Sequence, residues 1–243
     1  MLVIGYGVVV KGKGFYVRSM FDRIASRYDL MNKVMSLGFD WVWRRKAALL
    51  CNVSSGGLCL DVCTGTGMLA LELAKLVYPG GRVYAIDFSK GMLSRALSIA
   101  RGTPYVGVIQ FVNGDALNLP FEDDVFDCVT SAFCMRNVED IKRTISEMAR
   151  VAKRGGRVVI LDLSKPSNKL FRRLGDIYLK AFVPTMGLII VGDRDPYAYI
   201  HYSLLNFPTG IELARIMVEA GLRNVRFYEF NLGMVAIHTG IKA

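Results

Sequence analysis

Three carboxylates follow three successive apolar runs in the first half of the sequence. Asp61 lies in "LDVCTGTGM", Asp87 ends "VYAID", and Asp115 ends "VIQFVNGD". If these runs are parallel strands, their carboxyl ends meet at the edge of the sheet where such folds bind ligands. One aspartate alone is explained better as the cap of a following helix or turn. Three aspartates in register favour a binding crevice.

The motif "LDVCTGTGM" also places Gly65 and Gly67 between the first apolar run and a helix. Glycine allows a tight turn and a close approach of a ligand to the free N–H groups of a helix start. A structural turn would use the same residues, so the glycines alone are a weak signal. Asp87 follows Gly67 by 20 residues, the spacing at which a carboxylate accepts both ribose hydroxyls of a nucleoside. Asp115 could then reach an adenine amino group.

The residues around the glycines favour one nucleoside cofactor over another. A dinucleotide carries a pyrophosphate, which Asp61 would repel, and it favours a third glycine where this chain has Ala70. S-adenosylmethionine carries an ammonium and a sulfonium, which suit acidic side chains. The sequence therefore predicts methyl transfer rather than hydride transfer.

Two polar residues follow the fourth apolar run, in "FCMRNV". A buried strand would not accept Arg136 and Asn137, so we expect them at the same edge of the sheet, over the path of the methyl group. Many methyltransferases that act on amino groups have N/D-P-P-Y at this point. The chain lacks that proline and tyrosine, which argues against methylation of an exocyclic amine.

Arg136 and Asn137 suit a hydroquinone or phenol, whose ring becomes a carbon nucleophile ortho to the oxygen once the hydroxyl loses its proton. Ionising a phenol with a pKa of about 10 at pH 7 costs about 4 kcal/mol. One well-placed donor to the oxyanion supplies about 2.7–4 kcal/mol. Guanidinium stays protonated, so a water or a carboxylate must take the proton. The alternative is a salt bridge from Arg136 to Glu139 or Asp140.

The elements that position these residues alternate between strand-like and helical runs from about residue 58. This alternation is typical of a parallel sheet with crossover helices, and two final runs joined by a short turn must pair antiparallel. The pattern predicts an α/β, doubly wound, Rossmann-like and mostly parallel seven-stranded sheet with a C-terminal antiparallel hairpin, as in class I methyltransferases. The predicted strands are 58–62, 83–87, 108–115, 126–133, 157–164, 223–230 and 233–241, and the predicted helices are 69–77, 90–100, 139–152 and 209–221.

Two further segments are predicted to complete a single domain, residues 1–243. The stretches 21–32 and 39–50 have helical patterns and would form an N-terminal helical cap (15–50) near the carboxyl edge of the sheet. The aromatic-rich stretch 165–208 breaks the strand and helix rhythm. It is predicted to be a partly helical insertion on the substrate side.

The net charge of +10 is confined to two segments. Residues 1–50 carry +6 and residues 165–182 carry +4, whereas the rest of the chain is neutral. Such segments attract nucleic acid or an anionic membrane surface. A solvated basic face with no partner explains each segment equally well.

Several classes of site and location have little material in this sequence. No run reaches the roughly 18 apolar residues of a membrane span. The first residues match a signal peptide poorly, so we expect a cytoplasmic protein. Two histidines and five cysteines without a C-x-x-C pair argue against a metal site and favour buried thiols.

Motifs spread over the chain carry a family resemblance. They are "RYDLMN", "LDVCTGTG", "FCMRNVED", "RVVILDLSKP" and "GMVAIHTG". From residue 19 onward the sequence resembles the C-methyltransferases of ubiquinone and menaquinone biosynthesis. The resemblance implies methyl transfer from S-adenosylmethionine to a ring carbon of a demethylmenaquinol or a similar polyprenylated quinol. Because the prenyl tail stays in lipid, it also implies work at the inner face of a membrane.

The resemblance assigns roles to particular residues. Arg136 and Asn137 would sit at the substrate ring as catalytic residues. The residues implied at the cofactor are Asp61, Gly65, Thr66, Gly67, Asp87, Asp115 and Ala116. The residues implied to wall the quinol pocket are Tyr178, Pro184, Tyr197, Tyr199 and Ser203. For any one of these tyrosines, packing in the core is the better explanation.

The chain departs from the family pattern at Met68, Ala132 and Arg154, and in "HY" at 201–202. These departures bear on the substrate more than on the cofactor. An RNA methyltransferase, another small-molecule methyltransferase and a non-catalytic relative stay open as alternatives, and no nucleic-acid partner is expected. The choice between a naphthoquinol and a benzoquinol, the length of the prenyl tail and the formation of a homodimer are also open. The basic residues expected at anionic lipid are Arg18, Arg23, Arg44, Arg45, Lys46, Lys169, Arg172 and Arg173.

Overall fold

Nine strands build two sheets in the computed structural model, which describes residues 2–4, 8–10 and 12–243. Strand β1 (Leu2–Ile4) pairs antiparallel with β2 (Val8–Val10). The remaining seven strands form the central sheet. These are β3 (Leu58–Val62), β4 (Arg82–Asp87), β5 (Ile109–Asn113), β6 (Phe126–Ala132), β7 (Ala152–Leu163), β8 (Leu222–Phe230) and β9 (Val235–Lys242).

The central sheet has the strand order β5-β4-β3-β6-β7-β9-β8. Its first five strands are parallel, and β9 runs antiparallel to both β7 and β8. The predicted fold class, with its C-terminal antiparallel hairpin, is therefore confirmed. Strand β6 lies directly beside β3, with Cys128 opposite Cys59. The strand order reverses between these two strands, which is where such sheets open a crevice for ligands.

Ten α-helices, all within residues 13–219, surround the sheet in the described part of the chain. They are α1 (Lys13–Ile24), α2 (Tyr28–Met35), α3 (Asp40–Leu50), α4 (Met68–Val77), α5 (Lys90–Arg101), α6 (Ile141–Val151), α7 (Lys169–Ile177), α8 (Val183–Val191), α9 (Asp195–Leu205) and α10 (Gly210–Glu219). A π-helical turn, Tyr178–Phe182, joins α7 to α8. The helical insertion predicted after the fifth parallel strand thus consists of α7, α8 and α9.

Three predicted boundaries were wrong. The single helix predicted at 21–32 is broken, because residues 25–27 form a turn between α1 and α2. The strand predicted to begin at residue 157 begins at Ala152, so that "KRGG" (153–156) lies inside β7. Strand β5 ends at Asn113, so Asp115 follows the strand and forms an isolated bridge with Asn118.

Apolar side chains pack against both faces of the sheet, and this packing holds its edges in place. On one face Leu60, Val129 and Ile160 belong to a fully buried cluster. On the other face Cys59 and Val159 pack with α3 and α4. The central strands are thus buried on both sides, as expected for a parallel sheet covered by helices.

The N-terminal helices are fastened to loops at the carboxyl edge of the sheet. The Lys13 ammonium donates to the carbonyls of Arg136 and Val138 at 3.1 and 2.6 Å. The Gly14 N–H donates to a Glu139 carboxylate oxygen at 2.8 Å. In α2, Asp29 accepts a hydrogen bond from the Thr66 hydroxyl at 2.6 Å. These contacts hold the helical cap over the ends of β3 and β6.

One helix among the described residues is long and apolar enough to cross a membrane. The continuous helical stretch 169–191 has 23 residues and a mean hydropathy of 1.6 over its most apolar window, only 28% of which is buried. The amino-acid sequence does not reveal this helix as a continuous apolar run, because charged residues divide its first half. Length and composition alone are weak evidence for a span, and Leu179 and Val183 from this stretch pack into the protein core.

Candidate active site

Two adjoining cavities open at the carboxyl edge of the sheet, beneath the helical cap. We name the first the acidic crevice, since the carboxylates of Asp87, Asp115 and Glu139 line it. Its other principal lining residues are Gly14, Cys63, Thr64, Gly65, Thr66, Phe88, Met92, Ala116 and Val138. Strand ends β3, β4 and β6 and the loop after β5 thus meet in one place, as the three aspartates predicted.

The glycine loop between β3 and α4 has the backbone shape that only glycine adopts readily. Gly65 and Gly67 have positive φ angles of 56° and 80°. A Cβ on Gly67 would also lie 3.2 Å from the Ala96 Cβ. The loop therefore brings its backbone close to the crevice at the start of α4, where unpaired N–H groups face outward.

Asp61 is buried beneath this loop and does not line the crevice. Its carboxylate accepts hydrogen bonds from the Thr64 and Thr130 hydroxyls at 2.7 and 2.9 Å. Burial raises its pKa to about 6, against the lowering effect of the two threonines. In this position Asp61 braces the glycine loop and adds negative charge under it, rather than offering an oxygen to a ligand.

Asp87 lines the crevice at the end of β4 and also holds the loop in place. One oxygen accepts the Gly65 N–H at 2.8 Å, and the other accepts the Ser89 N–H at 2.9 Å. Burial raises its pKa to about 6. Each carboxylate oxygen keeps a second lone pair, so Asp87 can still accept ribose hydroxyls. Asp115 and Ala116 also line the crevice.

The "FCMRNV" sequence forms a tight turn after β6. Phe133 has a positive φ of 58°, a conformation in which non-glycine residues are strained. Its carbonyl accepts hydrogen bonds from the Arg136 guanidinium at 2.9 Å and from the Asn137 amide at 3.2 Å. The Asn137 N–H in turn donates to the Cys134 carbonyl at 2.7 Å. The strained turn is thus held by the two residues that it presents.

Arg136 forms a buried ion pair that the sequence analysis did not predict. Its Nη1 donates to Asp162 Oδ1 at 2.7 Å, with both side chains almost fully buried. Burial raises the pKa of Asp162, and the nearby guanidinium opposes that rise. Neither acid considered in the sequence analysis is the partner. Asp140 caps α6 by accepting the Arg143 N–H, and Glu139 accepts the Gly14 N–H.

The second cavity, which we name the apolar cavity, lies between the cap, the insertion and the "FCMRNV" turn. Arg136 and Asn137 lie on its wall together with Tyr178, Tyr197 and Tyr199. Its other principal lining residues are Met20, Phe21, Ile24, Tyr28, Asn32, Met35, Leu37, Trp43, Phe133, Leu163, Val183, Ile200 and Met234.

Two residues expected in that wall lie elsewhere. Ser203 does not line the apolar cavity. It lies one helical turn beyond Tyr199 on α9, and its hydroxyl donates to the Ile200 carbonyl at 2.9 Å. Pro184 is buried at the start of α8 and is not part of the wall either.

Several polar atoms at the apolar cavity are buried without a hydrogen-bond partner among residues 12–243. They are the hydroxyls of Tyr197 and Tyr199 and Nε of Arg136 and Arg44. Oδ2 of Asp162, which pairs with Arg136 through Oδ1, is a further such atom outside the cavity wall. Burial raises the pKa of Tyr199 to about 12, so its phenol stays a hydrogen-bond donor at neutral pH. Buried polar groups are rarely left unpaired in native proteins. Four donors around a mainly apolar pocket point to a ligand with oxygen acceptors.

Comparisons with known proteins agree with this geometry. A profile of the ubiE/COQ5 methyltransferase family matches residues 9–242. This chain belongs to that family. The demethylmenaquinone methyltransferase of Desulfitobacterium hafniense (strain Y51) is 41% identical over 232 residues, which are 96% of this chain and 92% of that one. The ubiquinone/menaquinone biosynthesis C-methyltransferase UbiE of Pseudomonas putida (strain GB-1) is 43% identical over 228 residues, 93% of this chain and 88% of that one.

Solved structures with much lower identity share the fold. A SAM-dependent methyltransferase from Aquifex aeolicus is 20% identical, with a TM-score of 0.58 over 96% of this chain and all of that one. The [4+2]-cyclase SpnF is 17% identical, with a TM-score of 0.68 over 97% of this chain and 98% of that one. The fold alone therefore does not decide the reaction. Membership of the ubiE/COQ5 family identifies the chain as an S-adenosylmethionine-dependent methyltransferase.

The acidic crevice of this ubiE/COQ5 family member fits that cofactor. Asp87 offers free lone pairs at the expected ribose position, and the crevice carries negative charge suited to an ammonium and a sulfonium. The match to the family also begins ten residues before residue 19, where the sequence analysis placed the start of the resemblance.

Arg44 has a different role from the one expected. It was grouped with basic residues at a lipid surface, but only 6% of it is exposed. Its guanidinium lies 5.1 Å from the centre of the Phe133 ring, and its Nε lies 3.7 Å from an Asp40 oxygen. Arg44 thus supports the turn that carries Arg136 and is not available to lipid. No residue pattern indicated this role, since "WRRK" has the pattern of an exposed helix face.

Five residues line both cavities of this family member, so the two cavities share a wall. They are Phe21, Tyr28, Arg44, Phe133 and Asn137. A donor in the acidic crevice and an acceptor in the apolar cavity would meet across this wall, beside the strained turn. The arrangement brings the predicted cofactor residues and the predicted substrate residues together at one point.

Proposed function

We propose that this protein transfers a methyl group from S-adenosylmethionine to a ring carbon of a polyprenylated quinol, with demethylmenaquinol giving menaquinol as the principal case. The observation that supports it most is the position of Arg136 and Asn137. They are polar residues on the wall of an apolar cavity that meets the cofactor crevice. The names of the relatives point to the same substrate class.

The acidic crevice would hold the cofactor through named groups. Asp87 would accept the ribose hydroxyls, Asp115 and Ala116 would contact the adenine, and the backbone at Gly65 and Thr66 would lie against the amino-acid portion. Bound S-adenosylmethionine supplies an electrophilic methyl group on its sulfonium. Asp61 and Gly67 would act indirectly, since they shape the loop without lining the crevice.

Arg136 would lower the cost of ionising the quinol hydroxyl. The cost is about 4 kcal/mol at pH 7 for a phenol with a pKa of about 10, and a placed donor supplies about 2.7–4 kcal/mol. Nη1 of Arg136 is engaged with Asp162 and the Phe133 carbonyl, whereas its Nε has no partner among residues 12–243. Nη2 also forms no hydrogen bond with these residues, and unlike Nε it is not a buried atom. Nη2, with the Asn137 amide beside it, is therefore the donor that we assign to the ring oxygen.

Asp162 would act as a positioning residue for Arg136. The pair fixes the guanidinium at the cavity wall and also neutralises part of its charge, so Arg136 stabilises the oxyanion by directed donation more than by net charge. Asp162 does not line the apolar cavity. It therefore does not touch the ring, and the quinol proton leaves to a water or another carboxylate.

The chain would work as a single domain in the cytoplasm, at the inner face of the membrane. The cap (15–50) and the insertion (165–208) would together enclose the ring, since both contribute to the wall of the apolar cavity. No nucleic-acid partner is proposed, because the donors of this cavity are buried rather than displayed to a phosphate backbone.

A direct test supplies purified protein with labelled S-adenosylmethionine and a short-tailed demethylmenaquinone, either reduced or left oxidised. The proposal expects a product heavier by one methyl group from the reduced ring alone, because only the hydroquinone can ionise to a carbon nucleophile. A parallel binding measurement with S-adenosylmethionine shows whether the crevice is functional.

The outcomes separate clearly. Cofactor binding without any methylated quinol would keep the methyltransferase assignment and overturn the quinol substrate. Equal methylation of oxidised and reduced rings would overturn the role of ring ionisation. A benzoquinol methylated faster than the naphthoquinol would move the principal substrate to ubiquinone synthesis.

A further inference from the structure

Large apolar side chains are exposed on two segments that also contribute to the wall of the apolar cavity. The exposed fraction of these side chains ranges from 51% for Phe39 to 78% for Leu37. We call them together the docking face, and it consists of Leu37, Phe39 and Trp41 from the α2–α3 segment and Leu170, Leu174 and Ile177 from α7. On α7 the three residues recur at helical spacing and so form one stripe.

The two parts of the docking face are joined next to the cavity. The Tyr178 hydroxyl donates to the Met35 carbonyl at 2.8 Å, which ties the end of α7 to the end of α2. Both Leu37 and Tyr178 line the apolar cavity. The exposed apolar surface is therefore continuous with the entrance through which a ring would pass.

Basic side chains border the apolar stripe on the same helical stretch. Lys169, Arg173 and Lys180 are exposed, and none of them forms a salt bridge with any of residues 12–243. The segment 165–182 carries a net charge of +4. An apolar stripe edged by unpaired cations complements the surface of a bilayer with anionic headgroups.

We propose that the docking face inserts into an anionic lipid bilayer, with α7 lying in the plane of the interface, so that the quinol ring enters the apolar cavity directly from the membrane. The inference rests on the proposed quinol substrate and adds the surface that collects it. The continuous helical stretch 169–191 does not cross the membrane, because Leu179 and Val183 beyond the end of α7 pack into the protein core. A second copy of the chain would bring two segments of +4 together, which disfavours self-association through this face.

Vesicle flotation tests the docking face. Full-length protein is floated with phosphatidylcholine vesicles, with or without about 30% phosphatidylglycerol. The double variant Leu174→Glu/Ile177→Glu should lose about 90% of its binding to both kinds of vesicle, because two inserted side chains are replaced by charges. The matched control Ile211→Glu/Val218→Glu changes two residues of α10 that are similarly exposed, and it should bind like the wild type.

The basic border is tested separately with Lys169→Gln/Arg173→Gln. Each basic side chain near an anionic surface contributes about fivefold to binding. The double variant should therefore bind anionic vesicles about 25-fold more weakly, with little change on phosphatidylcholine alone. Equal loss on both kinds of vesicle would contradict the electrostatic part of the proposal.

Activity measurements distinguish failure of this inference from failure of the proposed function. The Leu174→Glu/Ile177→Glu variant should methylate a short-tailed quinol in solution at the wild-type rate and lose most of its activity on a long-tailed quinol in vesicles. If the unmodified protein methylated the short-tailed quinol but did not bind vesicles, the docking face alone would be overturned. Absence of methyl transfer to any quinol would overturn the function. A wild-type dimer that these substitutions dissociate, with no vesicle binding, would make the face a self-interface and overturn the lipid partner.

Discussion

The acidic crevice and the apolar cavity share a wall but are constructed differently. The crevice is made from strand ends and one glycine loop, and its lining segments are those that the fold already brings to one edge. The apolar cavity is made by side chains from the cap, the "FCMRNV" turn and the insertion, which are far apart in the sequence. The fold itself therefore specifies the donor site, whereas packing between distant helices specifies the acceptor site.

The two cavities also differ in how their polar groups are satisfied. In the crevice, both Asp87 oxygens already accept backbone N–H groups. At the apolar cavity, the Tyr197 and Tyr199 hydroxyls and Arg136 Nε lack partners among residues 12–243. The crevice is thus organised before a ligand arrives, while the apolar cavity has donors that only a ligand or water can satisfy.

The largest effect is expected when the Arg136 hydrogen-bond donor of the apolar cavity is removed and the acidic crevice is left intact. The variant Arg136→Gln/Asp162→Asn replaces the ion pair with a neutral pair, because Arg136→Gln alone would leave a buried carboxylate unpaired at a cost of about 3–5 kcal/mol. Turnover of the reduced ring should fall about 10²–10³-fold. Calorimetric titration should show unchanged affinity for S-adenosylmethionine, and a parallel loss of cofactor affinity would show that the two cavities are not separable.

Asp162 alone tests positioning. In Asp162→Asn the amide can still accept from Arg136, so kcat should fall by about tenfold while KM for the quinol stays the same. In Asp162→Leu the side chain cannot accept a hydrogen bond from Arg136, so kcat should fall further. Equal activity of the two variants would show that the hydrogen bond from Arg136 to residue 162 does not affect catalysis, and that Asp162 has only a structural role.

The converse experiment acts on the donor side. Asp87→Asn keeps the shape of the side chain but removes the charged acceptor, so affinity for S-adenosylmethionine should fall about 10–100-fold. The KM for the quinol at saturating cofactor should not change. If the KM for the quinol rose as much as the Kd for the cofactor, the two cavities would not be separable.

Acidification should weaken the crevice and spare the apolar cavity. Burial raises the pKa of Asp87 to about 6. The carboxylate that accepts ribose hydroxyls is therefore present above that pH and lost below it. Cofactor affinity should fall as the pH is lowered from 7 to 5, by about tenfold at the lower end. Asp87→Asn should abolish this dependence, and Asp61→Asn, whose side chain lies outside the crevice, should retain it.

The smallest effect is expected at Tyr199. Removing its unpartnered hydroxyl in Tyr199→Phe should raise the KM for the quinol about 2–10-fold, the usual contribution of one hydrogen bond. The temperature of thermal unfolding should not fall, because the hydroxyl has no protein partner among residues 12–243. A change in cofactor affinity instead would show that Tyr199 acts on the acidic crevice and not on the apolar cavity.

The sequence predicted the crevice better than the cavity, for a physical reason. Asp87, Gly65 and Gly67 act through local backbone geometry that a motif encodes directly. The Arg136–Asp162 pair depends on β6 lying beside β7, with Ala132 opposite Leu161. The sequence analysis did predict the sheet, and Asp162 sits at a strand end like the other three aspartates. Its position at a strand end was the feature of the sequence from which Asp162 could have been predicted as a site residue.

Other features could not be read from the sequence. Arg44 and Lys169 are both basic residues in helical segments, yet Arg44 is buried against Phe133 and Lys169 is exposed. Ser203 and Tyr199 are four residues apart on α9, and only Tyr199 lines the cavity. Such differences depend on how helices of the cap and the insertion pack against each other, which residue patterns do not specify.

The shared wall of Phe21, Tyr28, Arg44, Phe133 and Asn137 links the occupancy of the two cavities. If a bound ring orders these side chains in a way that favours the cofactor, then the cofactor must favour the ring by the same factor, since such coupling is reciprocal. The amount of unmethylated quinol in the bilayer would then set how tightly the protein retains its soluble methyl donor. Supply of a lipid would govern the residence time of a metabolite that never enters the membrane.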